Sequence, residues 1–257
     1  LSGETYESWP LESHKTSAIT TRTFAIKKIE EAKKTNAFFD IKSNVEHQTF
    51  KGVSSSKNIA DAVKLTYGQI ITWKDEPIFA MYDMCCGGVL PVHCRGIDFE
   101  KFPYLARKKQ CKHCKECKFY DWNIIYDKKE SCRRLSKFIK KNIVDIIKLE
   151  DLKLSKSKAL RLVTIKVKIK LKNGKKIREN IQINNRVFRS VFSIKIQQKS
   201  SCFYPKLKNG GIHIYGRGRG HLMGLCQWGT KKLADNKWKH KNILQFYYPG
   251  TIISKIK

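Results

Sequence analysis

Leu160-Arg-Leu-Val-Thr-Ile-Lys-Val-Lys-Ile-Lys-Leu171, followed by Lys172-Asn173-Gly174, is the stretch on which the fold class turns. Val163, Ile165, Val167, Ile169 and Leu171 alternate with polar residues, the period of a half-buried strand. Asn173-Gly174 offers the left-handed pair that a tight hairpin turn requires. Further strands are predicted at 178–183 and 190–196, so this block is antiparallel. Upstream the pattern changes. Residues 10–33 contain no internal Gly or Pro and follow Pro10, which predicts a long helix. A loop with a short strand is expected at 37–52, a helix at 58–65, and strands at 69–73 and 78–82 on either side of the turn Asp75-Glu76-Pro77. Residues 83–121 are irregular and cysteine-rich, and a helix is predicted at 135–147. Downstream, helices are expected at 222–235 and 242–248. Helices and antiparallel strands in this order mean α+β. One domain over 1–257 is expected, with an N-terminal region over 1–131, a β-rich segment over 132–200 and a C-terminal region over 201–257.

A chain of 257 residues, 41% of them apolar, can bury one substantial core or two smaller ones. Its formal charge is +31, from 53 Lys and Arg against 22 Asp and Glu. Such a field attracts nucleic acid, anionic glycan or polyphosphate, and acidic membranes. The excess is mostly lysine along the whole chain, with abundant Asn and Ile. AT-rich coding produces that pattern without any ligand, so the charge by itself assigns no partner. Apolar runs such as 143–147 are far too short to span a membrane. The chain opens at Leu1 rather than at a methionine. A longer precursor is therefore expected, with any targeting segment or membrane anchor outside this sequence.

Gly216-Arg-Gly-Arg-Gly-His-Leu-Met-Gly-Leu-Cys-Gln-Trp-Gly229 combines flexible backbone with polar reach. Its glycines allow positive φ and close approach. Arg217, Arg219, His221, Gln227 and Trp228 supply donors, a titratable ring and a flat stacking surface. No Gly-Lys-Ser/Thr closes it as a phosphate loop, and no βαβ unit surrounds it as a dinucleotide fingerprint. It is a candidate binding loop, with a plain glycine-rich turn before a helix as the alternative. On the first helix, Lys15, Ala18 and Arg22 share a face, two cations flanking a small residue. They form a candidate clamp for an anionic or hydroxyl-rich ligand, or a solvated face. Just upstream, Glu4 lies near Tyr6, Trp9 and Pro10, and a carboxyl among aromatic rings is a candidate general acid.

Two separated motifs carry a resemblance. The opening, Glu4-Thr-Tyr-Glu-Ser-Trp-Pro-Leu-Glu followed by His-Lys-Thr-Ser-Ala-Ile-Thr-Thr-Arg-Thr-Phe-Ala25, resembles that of the SpoIID/LytB family. The closing Gly218-x-Gly220-His221, Gly224-x-x-Gln227-Trp228-Gly229 and Tyr247-Tyr248-Pro249-Gly250-Thr251 are similar to that family's hallmark. Gly68 to Trp73, Ile78-Phe-Ala80-x-Tyr82 and Cys86-Gly-Gly88 fall between them in the expected order. The resemblance implies a peptidoglycan lytic transglycosylase, cutting between N-acetylmuramic acid and N-acetylglucosamine in strands stripped of stem peptides. Glu4 falls on the catalytic glutamate position, and Lys15 and Arg22 fall on the family's cleft-lining cations. Arg219, His221, Gln227 and Trp228 are expected to contact sugar. An extracytoplasmic location and a cell-wall amidase as partner are also implied.

Nine cysteines form a second signal: Cys85, Cys86, Cys94, Cys111, Cys114, Cys117, Cys132, Cys202 and Cys226. Cys111-Lys-His-Cys114 has the spacing of a zinc knuckle, and Cys86 opens the Cys-Gly-Gly turn. Members of the resembled family place a zinc-type set here, with a His three residues before that cysteine. This chain has Asp83 there. A structural zinc on Cys86, Cys111, Cys114 and a fourth ligand is expected, with Asp83, Cys85, His93, Cys94, His113 and Cys117 as candidates. Disulfides or inert thiols are the alternatives. Two other functions stand beside the enzyme. One is a noncatalytic peptidoglycan-binding enhancer of an amidase. The other is a zinc-containing nucleic-acid binder, which leaves Glu4 and the Gln227-Trp228-Gly229 segment unexplained; no nucleic-acid partner is expected.

Overall fold

The structure, a computed structural model, describes residues 1, 3–44, 48, 52, 55–91, 97–195 and 199–256. In chain order its elements are α1 (Leu11–Lys34), α2 (Lys57–Leu65), β1 (Gln69–Trp73), β2 (Glu76–Pro77), β3 (Tyr82–Asp83), β4 (Asp121–Tyr126), α3 (Lys128–Ile139), β5 (Ile143–Leu154), β6 (Leu160–Lys170), β7 (Lys176–Asn184), α4 (Asn185–Val191), β8 (Phe203–Lys208), β9 (Gly211–Arg217), β10 (Leu225–Cys226), α5 (Gln227–Asp235), α6 (His240–Tyr247) and β11 (Ile252–Lys255). The fold is α+β, and the strand pairs are antiparallel except β3 with β10. Two compact units share the chain: Leu1–Cys117 with Leu222–Lys257, and Lys118–His221. The joins therefore fall at 117/118 and 221/222, rather than near 131 and 200 within one domain. Among the described residues no helix is long and apolar enough to cross a membrane.

The first unit is organised around α1, whose leading half is buried. That half is rich in Ser and Thr, and the threonine hydroxyls are satisfied by the helix itself. Thr16, Thr20 and Thr23 donate to the carbonyls of Glu12, Thr16 and Ile19 at 2.7–2.9 Å. Thr23 Oγ1 also accepts from the Ile71 N–H at 2.9 Å, which fixes α1 against β1. β1 lies between β11 and β2. Of the strand expected at 78–82 only Tyr82 lies in a strand, β3, while the Ile78 N–H donates to the Ile71 carbonyl of β1 at 3.1 Å. The Phe79 N–H donates to Tyr104 Oη at 3.0 Å. The helix expected from 222 starts at Gln227, because Leu222 (φ 68°) and Gly224 (φ 70°) are left-handed and interrupt any helix there. In the 37–52 region, 45–47 and 49–51 lie outside the described residues, and the described ones form no strand.

The second unit packs two three-stranded sheets, β5-β6-β7 and β4-β9-β8, around one apolar core. Val163, Ile165, Val167 and Ile169 point into it from β6, as the alternation predicts. The helix expected at 135–147 is instead α3 followed by β5. Asp127 caps α3 by accepting from the Glu130 N–H at 2.7 Å, and Lys140 at φ 57° ends it. Ile143, Val144, Ile146 and Ile147 are β-branched and fit the pleated sheet better than a helix. The strand expected at 190–196 is replaced in its first residues by α4, which Asn184 caps through the Val187 N–H at 3.0 Å; residues 196–198 lie outside the described set.

Candidate functional site

Glu4 sits in a turn before α1, its N–H bonded to the Leu1 carbonyl at 2.8 Å. Half-buried, it meets residues from both distant halves of the first unit. Gln227, buried at the start of α5, donates from Nε2 to the Glu4 carbonyl at 2.8 Å. Tyr82 on β3 lies against the Glu4 side chain, and burial, reinforced by that carboxylate's charge, raises its phenol above the ordinary range. The parallel pairing Tyr82↔Leu225 and Asp83↔Cys226 sets Tyr82 beside the strand that leads into Gln227. Gly224 makes that approach possible, since a Cβ there would overlap the Met81 carbonyl oxygen.

An aromatic cluster joins the turn that carries Glu4 to the start of α5. Trp9 is buried, with Tyr6 at 5.4 Å and Trp228 at 5.7 Å between ring centroids, and the Trp9–Trp228 contact is edge-to-face. Tyr6 and Trp228 are themselves 6.5 Å apart. Tyr6 is 55% exposed, so the cluster reaches solvent two residues along the chain from Glu4. A carboxyl, a phenol, an amide and clustered aromatic rings together suit a saccharide, whose hydroxyls need donors and acceptors and whose apolar face needs an aromatic surface.

The two helix cations do other work. Arg22 Nη1 donates to the carbonyls of Thr66 and Gln69, both at 2.8 Å, so it clasps α1 to the α2–β1 turn. Lys15 Nζ bonds Glu12 Oε1 at 2.8 Å, while Glu12 Oε2 accepts from the N–H and ring Nδ1 of His240 at 2.8 and 2.9 Å. Burial acts to raise the Glu12 carboxyl, but the Lys15 and His240 hydrogen bonds outweigh it and hold it at about 2. Lys15 and Arg22 both sit on α1 at the expected helical spacing, but their partners are scaffold groups, not a shared clamp. Arg219 and His221 belong to the second unit, where the Arg219 guanidinium lies 4.6 Å from the Phe119 ring centroid.

Four buried thiols form a separate centre. The Sγ atoms of Cys86, Cys111, Cys114 and Cys226 all lie within 4.8 Å of one another. Cys86 to Cys114 is 3.7 Å and Cys111 to Cys114 is 4.0 Å. Tetrahedral zinc with Zn–S near 2.3 Å needs sulfur separations of about 3.8 Å, so the set fits the metal. Its surroundings suit negative charge. The buried Arg107 points Nη2 at Cys86 Sγ from 3.9 Å, and the N–H groups of Cys86 and Gly229 donate to Cys226 Sγ at 3.3 and 3.4 Å. The neighbouring thiols, Cys111 foremost, hold Cys114 well below the ordinary thiol range.

This set corrects the predicted ligands at one position: Cys226 completes it, and Asp83 does not belong to it. Asp83 is buried and accepts from the Leu222 N–H at 2.5 Å, which holds the left-handed turn leading to β10. His113 packs against Trp238 and Phe246 instead. Cys85 and Cys117 are buried outside the set, and His93 and Cys94 lie outside the described residues. The described cysteines are all free thiols. No short spacing links Cys226 to the other three; its position between Gly224 and Gln227 in the hallmark is the signal that could have found it. Tyr82 is legible in the sequence only as a motif position four residues before Cys86.

Residues 1–73 match the family model for the stage II sporulation protein, SpoIID. An uncharacterized protein of Brachyspira hyodysenteriae is 27% identical over 98% of this chain and 64% of its own length. The amidase enhancer of Bacillus subtilis is 26% identical over 96% of the chain and 38% of its own length. Stage II sporulation protein D of the same organism is 25% identical over 95% of the chain and 69% of its own length. The chain thus spans less than two thirds of the first two relatives. The SpoIID match over residues 1–73 and the likeness of the whole chain to the amidase enhancer and to stage II sporulation protein D support membership of the SpoIID family.

Proposed function

We propose that this chain acts on the cell wall outside the cytoplasm, as a lytic transglycosylase on peptidoglycan strands that have lost their stem peptides. The observation that carries the reading is the meeting of Glu4 with Tyr82 and Gln227, in the turn that the Tyr6–Trp9–Trp228 cluster joins to α5. Most glycosidases need two carboxylates, one as acid and one as nucleophile or base. Here one carboxyl suffices if the substrate supplies the nucleophile. Glu4 as acid gives its proton to the glycosidic oxygen, and the bond from that oxygen to the anomeric carbon breaks. The muramic C6 hydroxyl attacks the same carbon, and its proton passes to the Glu4 carboxylate. Atoms balance without water, leaving a 1,6-anhydro end and a regenerated acid. Tyr82 and Gln227 hold Glu4 in place from its side chain and its carbonyl. Trp228 offers the sugar an edge of the aromatic cluster. Lys15 and Arg22 are assigned to support.

Zinc on Cys86, Cys111, Cys114 and Cys226 would be structural, since four thiolates leave no open position for substrate. It would tie the 86–114 loop to the start of α5, the helix that carries Gln227 and Trp228. A second reading, a noncatalytic enhancer of a cell-wall amidase, is favoured by the alignment of the amidase enhancer over nearly the whole chain. Incubating amidase-treated cell wall with the wild-type chain and with Glu4→Gln separates the two. The enzyme reading expects glycan release by the wild type, none by Glu4→Gln, and glycan binding by both. Equal release from both removes Glu4 from the mechanism, and binding without release by either supports the enhancer.

A further inference from the structure

The charge is not evenly spread. The second unit, 118–221, holds 28 Lys and Arg against 7 Asp and Glu, so +21 of the chain's +31 lies there. Within it, residues 152–178 contain eleven cations and no acid. That segment runs through β6, the Asn173-Gly174 turn and the start of β7.

The sheet register turns this composition into a surface. One face of β6 is packed into the core; the opposite face carries Lys166, Lys168 and Lys170. Across the ladder, Lys168 stands directly opposite Arg178, Lys170 opposite Lys176, and Lys166 opposite Lys148 of β5. Like charges paired directly across strands destabilise a sheet. Glu150 lies 3.7 and 4.0 Å from Lys148 and Lys166, and Asp145 bonds Lys128 at 2.9 Å. Beyond these, the hairpin end with Lys170, Lys176 and Arg178 gains no acid from its own segment, and Lys172 and Lys175 add two more charges at the turn. Glu150 serves the Lys148–Lys166 pair and Asp145 stands opposite Lys168 on β5, so Lys170 facing Lys176 at the hairpin end is the opposed pair without an acid, a cost to folding that a polyanion would offset.

The spacing selects the anion. Alternate residues on a strand are about 6.7 Å apart and neighbouring strands about 4.8 Å. An extended chain advances roughly 3.5 Å per three backbone bonds, so a six-bond phosphodiester repeat spans about 7 Å. Poly(glycerol phosphate) and nucleic acids both have that repeat. Residues 139–187 contain no Phe, Trp, Tyr or His, so this sheet offers no platform on which bases stack. We propose that the outer face of the β6–β7 hairpin binds a linear polyol-phosphate polymer, laid along the Lys166–Lys168–Lys170 row. This binding is independent of the chemistry at Glu4. It would hold the protein on a phosphate-rich polymer matrix.

The test uses the full chain and end-labelled poly(glycerol phosphate), followed by fluorescence anisotropy across a salt series. Replacing Lys168, Lys170, Lys176 and Arg178 with Gln is expected to weaken binding at least tenfold. The log–log salt slope should become shallower by about 3, at roughly 0.7 per lost phosphate contact. Relief of the opposed pairs means that this variant should melt no lower than the wild type. A control with Lys129, Lys137, Lys206 and Lys208 changed to Gln loses the same charge from α3 and β8, and should keep most of the affinity. The double variant Lys170→Gln/Lys176→Gln repeats the comparison at the exposed hairpin end should the quadruple one fail to fold. Equal losses in face and control variants overturn the proposal, as does wild-type affinity in the face variant. Tighter binding of oligothymidine or anionic lipid vesicles, abolished by the same substitutions, overturns the polyol-phosphate assignment.

Discussion

Cys226 carries two tasks on one sulfur, and two substitutions separate them. Its Sγ caps α5 through the Gly229 N–H and also accepts from the Cys86 N–H, while lying in the four-thiol set. Cys226→Ala removes the cap, worth about 1 kcal/mol, and leaves the buried Cys86 N–H unpaired for another 1–2 kcal/mol or so. The expected loss is about 2–3 kcal/mol, or roughly 4–12 °C in melting temperature for a unit of this size. Cys226→Ser keeps a small acceptor, so without a metal it should cost less than about 1 kcal/mol. With zinc on four thiolates the outcome differs. Removing an outer-sphere partner already costs about 10–100-fold in metal affinity, and losing a ligand should exceed that. Purified wild type should then contain one zinc per chain by emission spectroscopy and melt lower with a chelator. Cys226→Ser should lack the metal, melt near the chelated wild type and ignore the chelator. Cys202→Ser serves as the control, its thiol bonded to the Ser157 carbonyl at 3.3 Å. If Cys226→Ser melts with the untreated wild type, and chelation changes neither, the metal centre is refuted.

Gly224→Ala should cost about 3–4 kcal/mol in thermal unfolding, because φ of 70° strains Ala and the new Cβ displaces a Met81 carbonyl that accepts from Leu225 N–H and Tyr248 Oη. A loss under 1 kcal/mol or so contradicts that packing. Arg22→Gln should lower stability by about 2–3 kcal/mol through its two carbonyl bonds; a raised KM with unchanged melting would return Arg22 to the substrate. Glu12, held at about 2 against 4.5, stabilises the fold fully above pH 4.5, and that contribution is lost as pH falls through 2. Glu12→Gln should therefore cost about 1–2 kcal/mol at neutral pH after allowance for solvent exposure, with the difference closing towards pH 2 in a melting series.

What the sequence discloses depends on the range of the interaction concerned. The β6–β7 hairpin is legible because alternation and Asn173-Gly174 are local signals, and α1 because nothing between Pro10 and Lys33 breaks a helix. The Asn209-Gly210 turn between β8 and β9 carries the same kind of signal but is masked beside the glycine-rich loop. α3 and β5 merge in the sequence because no Gly or Pro separates them and the boundary is one left-handed lysine. At the site, Glu4, Gln227 and Trp228 are identified by motif, and the fold brings them together across 223 residues. The fourth thiol is not deducible from spacing, since the chain returns to Cys86 only after the whole second unit. Lys15 and Arg22 show the converse: their shared face is local and readable, whereas Glu12, His240, Thr66 and Gln69 as partners are tertiary facts.

The most direct measurement is mass spectrometry of the fragments that the wild-type chain releases from amidase-treated peptidoglycan. A single Glu4 acid with the substrate's own C6 hydroxyl as nucleophile predicts muramic ends lighter by one water than hydrolysed ends, and no such fragments from Glu4→Gln. Reducing ends that carry the oxygen of labelled water would mean that water attacks, which contradicts the one-carboxylate account.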